Sequence, residues 1–343
     1  MKKVIVSAPG KLMLFGEHAV VYGRPCLVTA VSQRMRATID LLDEPVFQLN
    51  APDVHITNYQ KAMSQVGKGG IPRGAKFVEI AVANFYSSSE AKRSREVQND
   101  NSSRQARTIK SNQGIKVTTS SEFSSQFGFG SSSAVTVCVL KSLSELLGIH
   151  LSNKELFKLA YKTVLDVQKK GSGFDVAAAI YGGTLYFVKA GKIIEPLQIN
   201  GLPLIVGYSG SKADTVTLMQ QVSEKAKKDS KAIENIYSEI GRLVTLAKIA
   251  LLEKDWETVG ELMNKNQEYL NALGVGSPKL NAMIAASLSE GAFGAKLSGA
   301  GGGDCMIALC PVKNKQKIAK AIEKAGGEII NVQINAEGVK LET

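Results

Sequence analysis

The chain has 343 residues, of which 44% are hydrophobic and 21% charged, and its net charge is +11. That much apolar material builds a sizeable core, so disorder throughout is excluded, and at ~100–200 residues per domain the length allows two domains or one large one. The 32 glycines keep no three-residue period, no heptad run is sustained and no apolar stretch reaches the ~18 residues of a membrane span, which excludes collagen-like, coiled-coil and helical membrane classes.

The segment Met1-Lys2-Lys3-Val4-Ile5-Val6 is positively charged, but its apolar run is too short for a signal peptide, so a cytoplasmic protein is expected. Lys3–Ser7 reads as a strand, Ala8-Pro9-Gly10 as a turn and Leu12–Phe15 as a second apolar run. Cys26–Leu42 alternates like a strand around Thr29, Val31, Met35 and Thr38. Helical spacing of Phe77, Ile80, Ala81 and Phe85 predicts a helix over Ala75–Tyr86. Residues 87–113 are polar and rich in Ser and Asn, and read as an exposed connector. Its basic stretch, Lys92–Lys110, reads as a solvated loop, because no nucleic-acid-binding motif lies beside it. Neither nucleic acid nor membrane is therefore an expected partner.

Ile115–Ser120 follows as a short strand. Gly128–Ser133 opens a helical run to Leu147, and Ser152–Gln168 is a second helix, with Ser152 and Glu155 spaced as a capping box. Ser172–Tyr181 reads as a short helix and Gly183–Val188 as a strand. Gly, Lys and Pro cluster in Ala190–Leu202, which predicts domains 1–195 and 196–343. The second half starts with a buried strand, Leu204–Tyr208. Helices are expected over Thr215–Lys227, Ala232–Glu253, Trp256–Leu273 and Pro278–Glu290. Strands Gly294–Leu297 and Met306–Leu309 flank a glycine-rich loop, and the tail reads as helix Lys315–Ala325 with strands Glu328–Ile334 and Val339–Glu342. Mixed elements in both halves favour an α+β class over a doubly wound parallel sheet.

The four cysteines lack metal-site spacing and are expected to be reduced thiols, and three histidines are too few for a His-rich metal centre. Chemistry is instead suggested by the glycine loops. Gly128-Phe129-Gly130-Ser131-Ser132-Ser133 feeds straight into a helix. Glycines permit a tight path, and the first helical turn offers unpaired N–H groups and partial positive charge, an arrangement suited to phosphate. Serine hydroxyls there can add phosphate or magnesium contacts, whereas plain N-capping needs only one of them. Ser298-Gly299-Ala300-Gly301-Gly302-Gly303-Asp304 lets backbone approach a ligand, or else simply joins two strands. Neither loop is a Walker or dinucleotide fingerprint. Lys11 follows a Pro-Gly pair, Glu17 and His18 follow Gly16, and Ser172 and Asp175 have capping-box spacing. Taken singly, these read as surface polar groups or caps.

In combination, these segments resemble the GHMP kinase superfamily, whose members phosphorylate small molecules with ATP. Ala8-Pro9-Gly10-Lys11 with Gly16-Glu17-His18 resembles its first motif, Gly128–Ala134 its second and Lys296–Gly303 its third. Leu14–Gly23 and Leu262–Gln267, with Leu273-Gly274-Val275 and Pro278-Lys279-Leu280, are most similar to the mevalonate kinase family. Gly171–Ala178 with Gly182, and Asp304-Cys305, look more like phosphomevalonate kinases. Where mevalonate kinases carry a magnesium-binding glutamate, this chain has Val164, with Asp166 nearby.

The resemblance implies an N-terminal α+β domain and a C-terminal ferredoxin-like α/β-sandwich domain with the active site between them. It implies ATP and Mg²⁺, mevalonate as acceptor and 5-phosphomevalonate as product, and it is compatible with a homodimer. Asp175 would take or orient the acceptor proton, and Lys11 would stabilise the transferring phosphoryl group. Gly128, Phe129, Gly130, Ser131 and Ser133 would wrap the triphosphate, and Ser132 would hold the metal. Glu17 and His18 would lie by the polar end of the substrate, with Gly299, Ala300 and Gly301 closing over it. The alternatives are phosphomevalonate or another acceptor, and a non-catalytic nucleotide- or polyanion-binding protein.

Overall fold

The computed structural model describes the backbone of residues 3–99 and 113–342 and the side chains of residues 3–88 and 113–342. The first half is built on one long sheet. Strand β1 (Lys3–Phe15) pairs antiparallel with β2 (Pro25–Leu42) over almost its whole length. The expected turn at Ala8-Pro9-Gly10 is therefore the interior of a strand. The ladder shifts register between Pro9 and Gly10, which accommodates a residue with no N–H to donate. A Cβ on Gly10 would come within 3.1 Å of Val31 and 3.2 Å of Phe129, so glycine lets the bulged strand press against the loop before the next helix.

Strands β3 (Val46–Ala51) and β4 (Ile56–Ala62) form a hairpin that was not anticipated. Its inward residues Phe47, Leu49 and Ala51 alternate with half-buried ones, the period of a one-face-buried strand. Helix α1 (Lys76–Asn99) runs well past the expected end at Tyr86, through a stretch rich in good helix formers. Residues 100–112, and all side chains of the basic stretch Lys92–Lys110, lie outside the described residues.

Next come β5 (Gly114–Ser121), α2 (Ser131–Leu147), α3 (Asn153–Gln168), α4 (Phe174–Tyr181), β6 (Thr184–Val188) and β7 (Ile193–Leu197). On its edge away from β1, β2 pairs first with β6 and then with β5, and the sheet continues through β3 to β4. Helices α1 to α4 pack together, with α2 lying on β1 and β2. The capping box of α3 is formed as expected, Ser152 accepting from the Glu155 N–H while Glu155 accepts from the Ser152 N–H. Residue 195 falls inside β7, which pairs with β6 and so belongs to the first sheet.

The second half runs β8 (Leu204–Tyr208), α5 (Thr215–Lys228), α6 (Ser230–Glu253), α7 (Trp256–Leu273), α8 (Pro278–Ser289), β9 (Gly294–Ser298), β10 (Cys305–Leu309), α9 (Lys315–Lys324) and β11 (Glu328–Ile329). Its antiparallel sheet has the order β11-β8-β10-β9, the split βαβ topology of a ferredoxin-like sandwich. Helices α5 to α8 each start on a side-chain cap, from Asp214, Asp229, Asp255 and Ser277.

The tail strands are shorter than expected. Beyond β11 the chain makes only isolated bridges, Val31 with Ile334 and Gly182 with Glu337, before β12 (Lys340–Leu341) joins β1. Arg34 anchors this return. Its buried guanidinium donates to the Ser7 hydroxyl and to the carbonyls of Ser7, Glu337 and Gly338. The tail in turn braces the C-terminal end of α4, with Val339 N–H donating to Ile180 O and Gly183 N–H to Ala336 O. All four cysteines are buried and unbridged. No helix among the described residues is long and apolar enough to cross a membrane.

Gly182 sits at φ 65°, and a Cβ there would come 2.2 Å from the backbone nitrogen of Gly338. Gly182→Ala is expected to destabilise the protein by at least about 2 kcal/mol, from left-handed strain plus a backbone collision. Chemical denaturation checks this.

Candidate active site

The two glycine loops and the N-terminal strand converge. Gly128 (φ 71°) and Gly130 (φ 78°) take left-handed conformations, which a side chain would resist. Between them Phe129 is buried, packed edge-on against Phe127 with centroids 5.6 Å apart. That anchor sets the height of the loop. Gly130 is the N-cap of α2 and offers no side-chain cap. Ser133 and Ala134 N–H groups return to Gly130 O, leaving those of Ser131 and Ser132 without partners among the described residues. The hydroxyls of Ser131 and Ser132 are likewise unpartnered among the described residues. Free donors at a helix N-terminus make an anion site.

Lys11 ties this loop to α4. Its N–H donates to Phe129 O at 3.0 Å, and its Nζ donates to Gly128 O at 2.8 Å. The same ammonium lies 3.2 Å from Asp175 Oδ1 and 5.2 Å from the centre of the Phe174 ring. The expected Ser172–Asp175 capping box does not form. Gly173 is the N-cap, at φ 96° and without a side-chain bond, so the Asp175 carboxylate is free to face Lys11. A Cβ on Gly130 would come within 3.2 Å of Asp175 Oδ1 and 3.3 Å of Lys11, which explains glycine there. Asp175 keeps 29% of its side chain exposed, and Lys11 keeps 8%. A carboxylate open to solvent beside a nearly buried cation and a phosphate cradle can receive a proton from an attacking hydroxyl.

The seam between the halves is built by Glu17, His18, Lys296 and Ser298. Glu17 and Lys296 form an ion pair with no solvent exposure on either side chain. Burial pushes the Glu17 carboxyl up against the lowering influence of Lys296, and pushes the Lys296 ammonium down against the raising influence of Glu17. The Ser298 hydroxyl donates to Met13 O and accepts from Met13 N–H. His18 sits at φ 60°, and its Nε2 bonds Ala300 O at 2.8 Å. A carbonyl only accepts, so Nε2 carries the proton. Burial lowers the His18 pKa, partly offset by that bond. Its Nδ1 and Glu17 Oε2 are buried without hydrogen-bond partners among the described residues. The structure thus places Glu17 and His18 inside the seam that fixes Gly299–Gly301, with Gly301 packed on Val275.

Lys296 lies within the third motif, and the resemblance gives it no role. A lysine inside an otherwise apolar strand, just ahead of a glycine run, was the available signal. Val164 lies on the buried face of α3, and Asp166 is held by Lys162 and Asn84. Two hollows of about 430 and 320 Å³ share Leu204, Lys315 and Val332 and include none of the cleft residues.

Comparisons with known proteins bear on the family and the fold. Residues 99–183 match the GHMP kinases N terminal domain, and residues 247–328 match GHMP kinases C terminal. The mevalonate kinase of Pyrococcus furiosus is 36% identical over 351 residues, covering 99% of this chain and 98% of that protein. The mevalonate kinase of Saccharolobus solfataricus is 27% identical, covering 98% of each. Among solved structures, the mevalonate kinase of Methanococcus jannaschii superposes with a TM-score of 0.77 at 25% identity, covering 96% of this chain and 98% of that one. A phosphomevalonate kinase from Streptococcus pneumoniae gives 0.76 at 19% identity, covering 97% of this chain and 100% of that one, a likeness that bears on the fold alone.

Lys296→Met alone is expected to destabilise the protein by about 3–5 kcal/mol, because it strands a buried carboxylate. Adding Glu17→Met should recover most of that loss in chemical denaturation.

Proposed function

The chain belongs to the mevalonate kinases of the GHMP kinase family, and we propose that its cleft carries the γ-phosphoryl group of ATP to the 5-hydroxyl of mevalonate. The products are 5-phosphomevalonate and ADP. One observation carries the residue assignment: the Lys11 ammonium joins the Gly128 carbonyl to Asp175. This puts a proton acceptor, a cation and an anion cradle at one point.

Asp175 receives the proton of the 5-hydroxyl as its oxygen bonds to the γ-phosphorus, and the bond from that phosphorus to the ADP oxygen breaks. Lys11 stabilises negative charge on the transferring group and orients Asp175. The free N–H groups of Ser131 and Ser132, with Gly128, Phe129, Gly130 and Ser133, hold the triphosphate. Such chemistry needs positioning and charge stabilisation above all. Glu17 and His18 serve the acceptor end by fixing Gly299, Ala300 and Gly301 through Lys296 and the Ala300 carbonyl.

Magnesium suits the donor set. Among the described residues the Ser132 hydroxyl has no hydrogen-bond partner in the first turn of α2, and sites of this kind complete the shell with phosphate oxygens and water. When bound, the ion screens the phosphate charge. Val164 brings no ligand, and Asp166 is engaged with Lys162 and Asn84. We place the division between the two lobes in residues 198–203, which join β7 to β8. Four buried, unbridged cysteines support a reducing compartment, the cytoplasm.

ADP release with Mg·ATP tests the acceptor. Turnover with mevalonate and none with phosphomevalonate is expected, and the reverse would overturn the reading. Asp175→Ala should abolish transfer while leaving ADP binding intact. Ser132→Ala should raise the Mg²⁺ concentration needed for half-maximal rate, read from metal titrations at fixed ATP.

A further inference from the structure

Asp304 closes the third glycine loop, and the scheme above leaves it unused. It is 8% exposed and sits at φ 57°, a conformation that Asp and Asn tolerate better than most residues with a side chain. Gly299, Gly301 and Gly302 of the same loop also have positive φ. The backbone of Asp304 is tied both ways to the 209–213 loop, its N–H donating to Ser211 O at 2.8 Å and its carbonyl accepting from Ser209 N–H at 2.9 Å. Oδ1 accepts from Ala213 N–H at 2.8 Å.

Oδ2 is different. It has no hydrogen-bond partner among the described residues, and it faces across to the other lobe. A Cβ on Gly128 would come 2.5 Å from Oδ2 and farther from the rest of the carboxyl group. An unpartnered carboxylate oxygen on a nine-tenths buried residue is therefore aimed at the loop that opens α2. The free N–H groups of Ser131 and Ser132, which suit anions, follow that loop in the first turn of α2.

A phosphate chain in the cradle and a negative carboxylate charge beside it would repel each other. Lys11 does not bond the Asp304 carboxylate, since its ammonium is engaged with Gly128 O and Asp175. Lys212, in the neighbouring loop, makes no ion pair with it among the described residues. A cation between carboxylate and phosphate turns the repulsion into two attractions. Divalent cations at nucleotide sites use one or two carboxylates, phosphate oxygens and water, and Oδ2 is a carboxylate oxygen free for that use.

We infer that Asp304 is a ligand, through Oδ2, of the divalent cation that accompanies ATP. The C-terminal lobe thereby contributes to a metal site whose other protein ligand, Ser132, comes from the N-terminal lobe. The inference rests on reading residues 128–133 as the nucleotide site.

The test compares ADP binding with Mg²⁺ and in EDTA by calorimetry, together with Mn²⁺ binding to the ADP complex by electron paramagnetic resonance. Asp304→Asn keeps an acceptor for Ala213 N–H and tolerates the same backbone, while losing the charge. Asp304→Gly removes the side chain and relieves the backbone. In both variants, metal-free ADP should bind at least as tightly as in the wild type. The enhancement by Mg²⁺ should fall about tenfold, the scale of losses when a metal site is stripped of a supporting group, and Mn²⁺ affinity should fall in parallel. Unchanged enhancement and Mn²⁺ affinity in both variants would overturn the inference and leave Asp304 a loop-shaping residue. Failure of the wild type to bind ADP would instead overturn the nucleotide reading, before any variant is compared.

Discussion

A single ammonium group holds the cleft together. Lys11 reaches from a strand of the first sheet to the carbonyl of Gly128 and the carboxylate of Asp175, with the Phe174 ring closing one side. The contacts join three elements: the strand that carries Lys11, the loop before α2 and the first turn of α4. An amine on a four-carbon stem can serve all three because its donors point in separate directions. Glycines at 10 and 130 keep the same region uncrowded, since a Cβ there would sit tightly against Phe129 or the Lys11–Asp175 pair.

Around that centre the protein is stiffened from two sides. The tail, gripped by Arg34, braces the far end of α4, so the helix bearing Asp175 is fixed at both ends. The seam of Glu17, Lys296, Ser298 and His18 sets the third glycine loop against the end of β1. A buried ion pair is weak evidence for stability, because desolvation opposes its attraction. Its value here is geometric: it seats one lobe on the other next to the loop that carries Asp304.

The parts of this structure that were legible in the sequence are those specified locally. The Gly-Phe-Gly-Ser-Ser-Ser run with helical spacing behind it became α2, and the capped amphipathic stretches became α3 and α5 to α8. Local rules failed where distant pairing decided the outcome. Ala8-Pro9-Gly10 has turn chemistry, yet the ladder with β2 carries the strand through it by means of a bulge. The alternation of Phe47, Leu49 and Ala51 is a local strand signal too, and it became the buried side of β3. In the tail, the runs read as strands pair only over short stretches, and elsewhere their backbone bonds go to single partners, Gln333 exchanging with Ser32 and Val339 N–H donating to Ile180 O. Lys11 and Asp175 were each a weak signal. Their significance lies in a contact across most of the first half of the chain, which only the combination of motifs anticipated. Lys296 and Asp304 gained roles only once the fold showed what they face.

The account stands or falls on whether Lys11 and Asp175 act as one unit in the transfer step. The most direct measurement is single-turnover phosphoryl transfer from ATP to mevalonate in Lys11→Met, Asp175→Asn and the double variant, at saturating nucleotide. Groups that act together lose most of their effect when either is removed. The double variant should therefore fall within about threefold of the slower single one. Losses that multiply in the double variant would show that the two residues contribute independently, and would contradict the account.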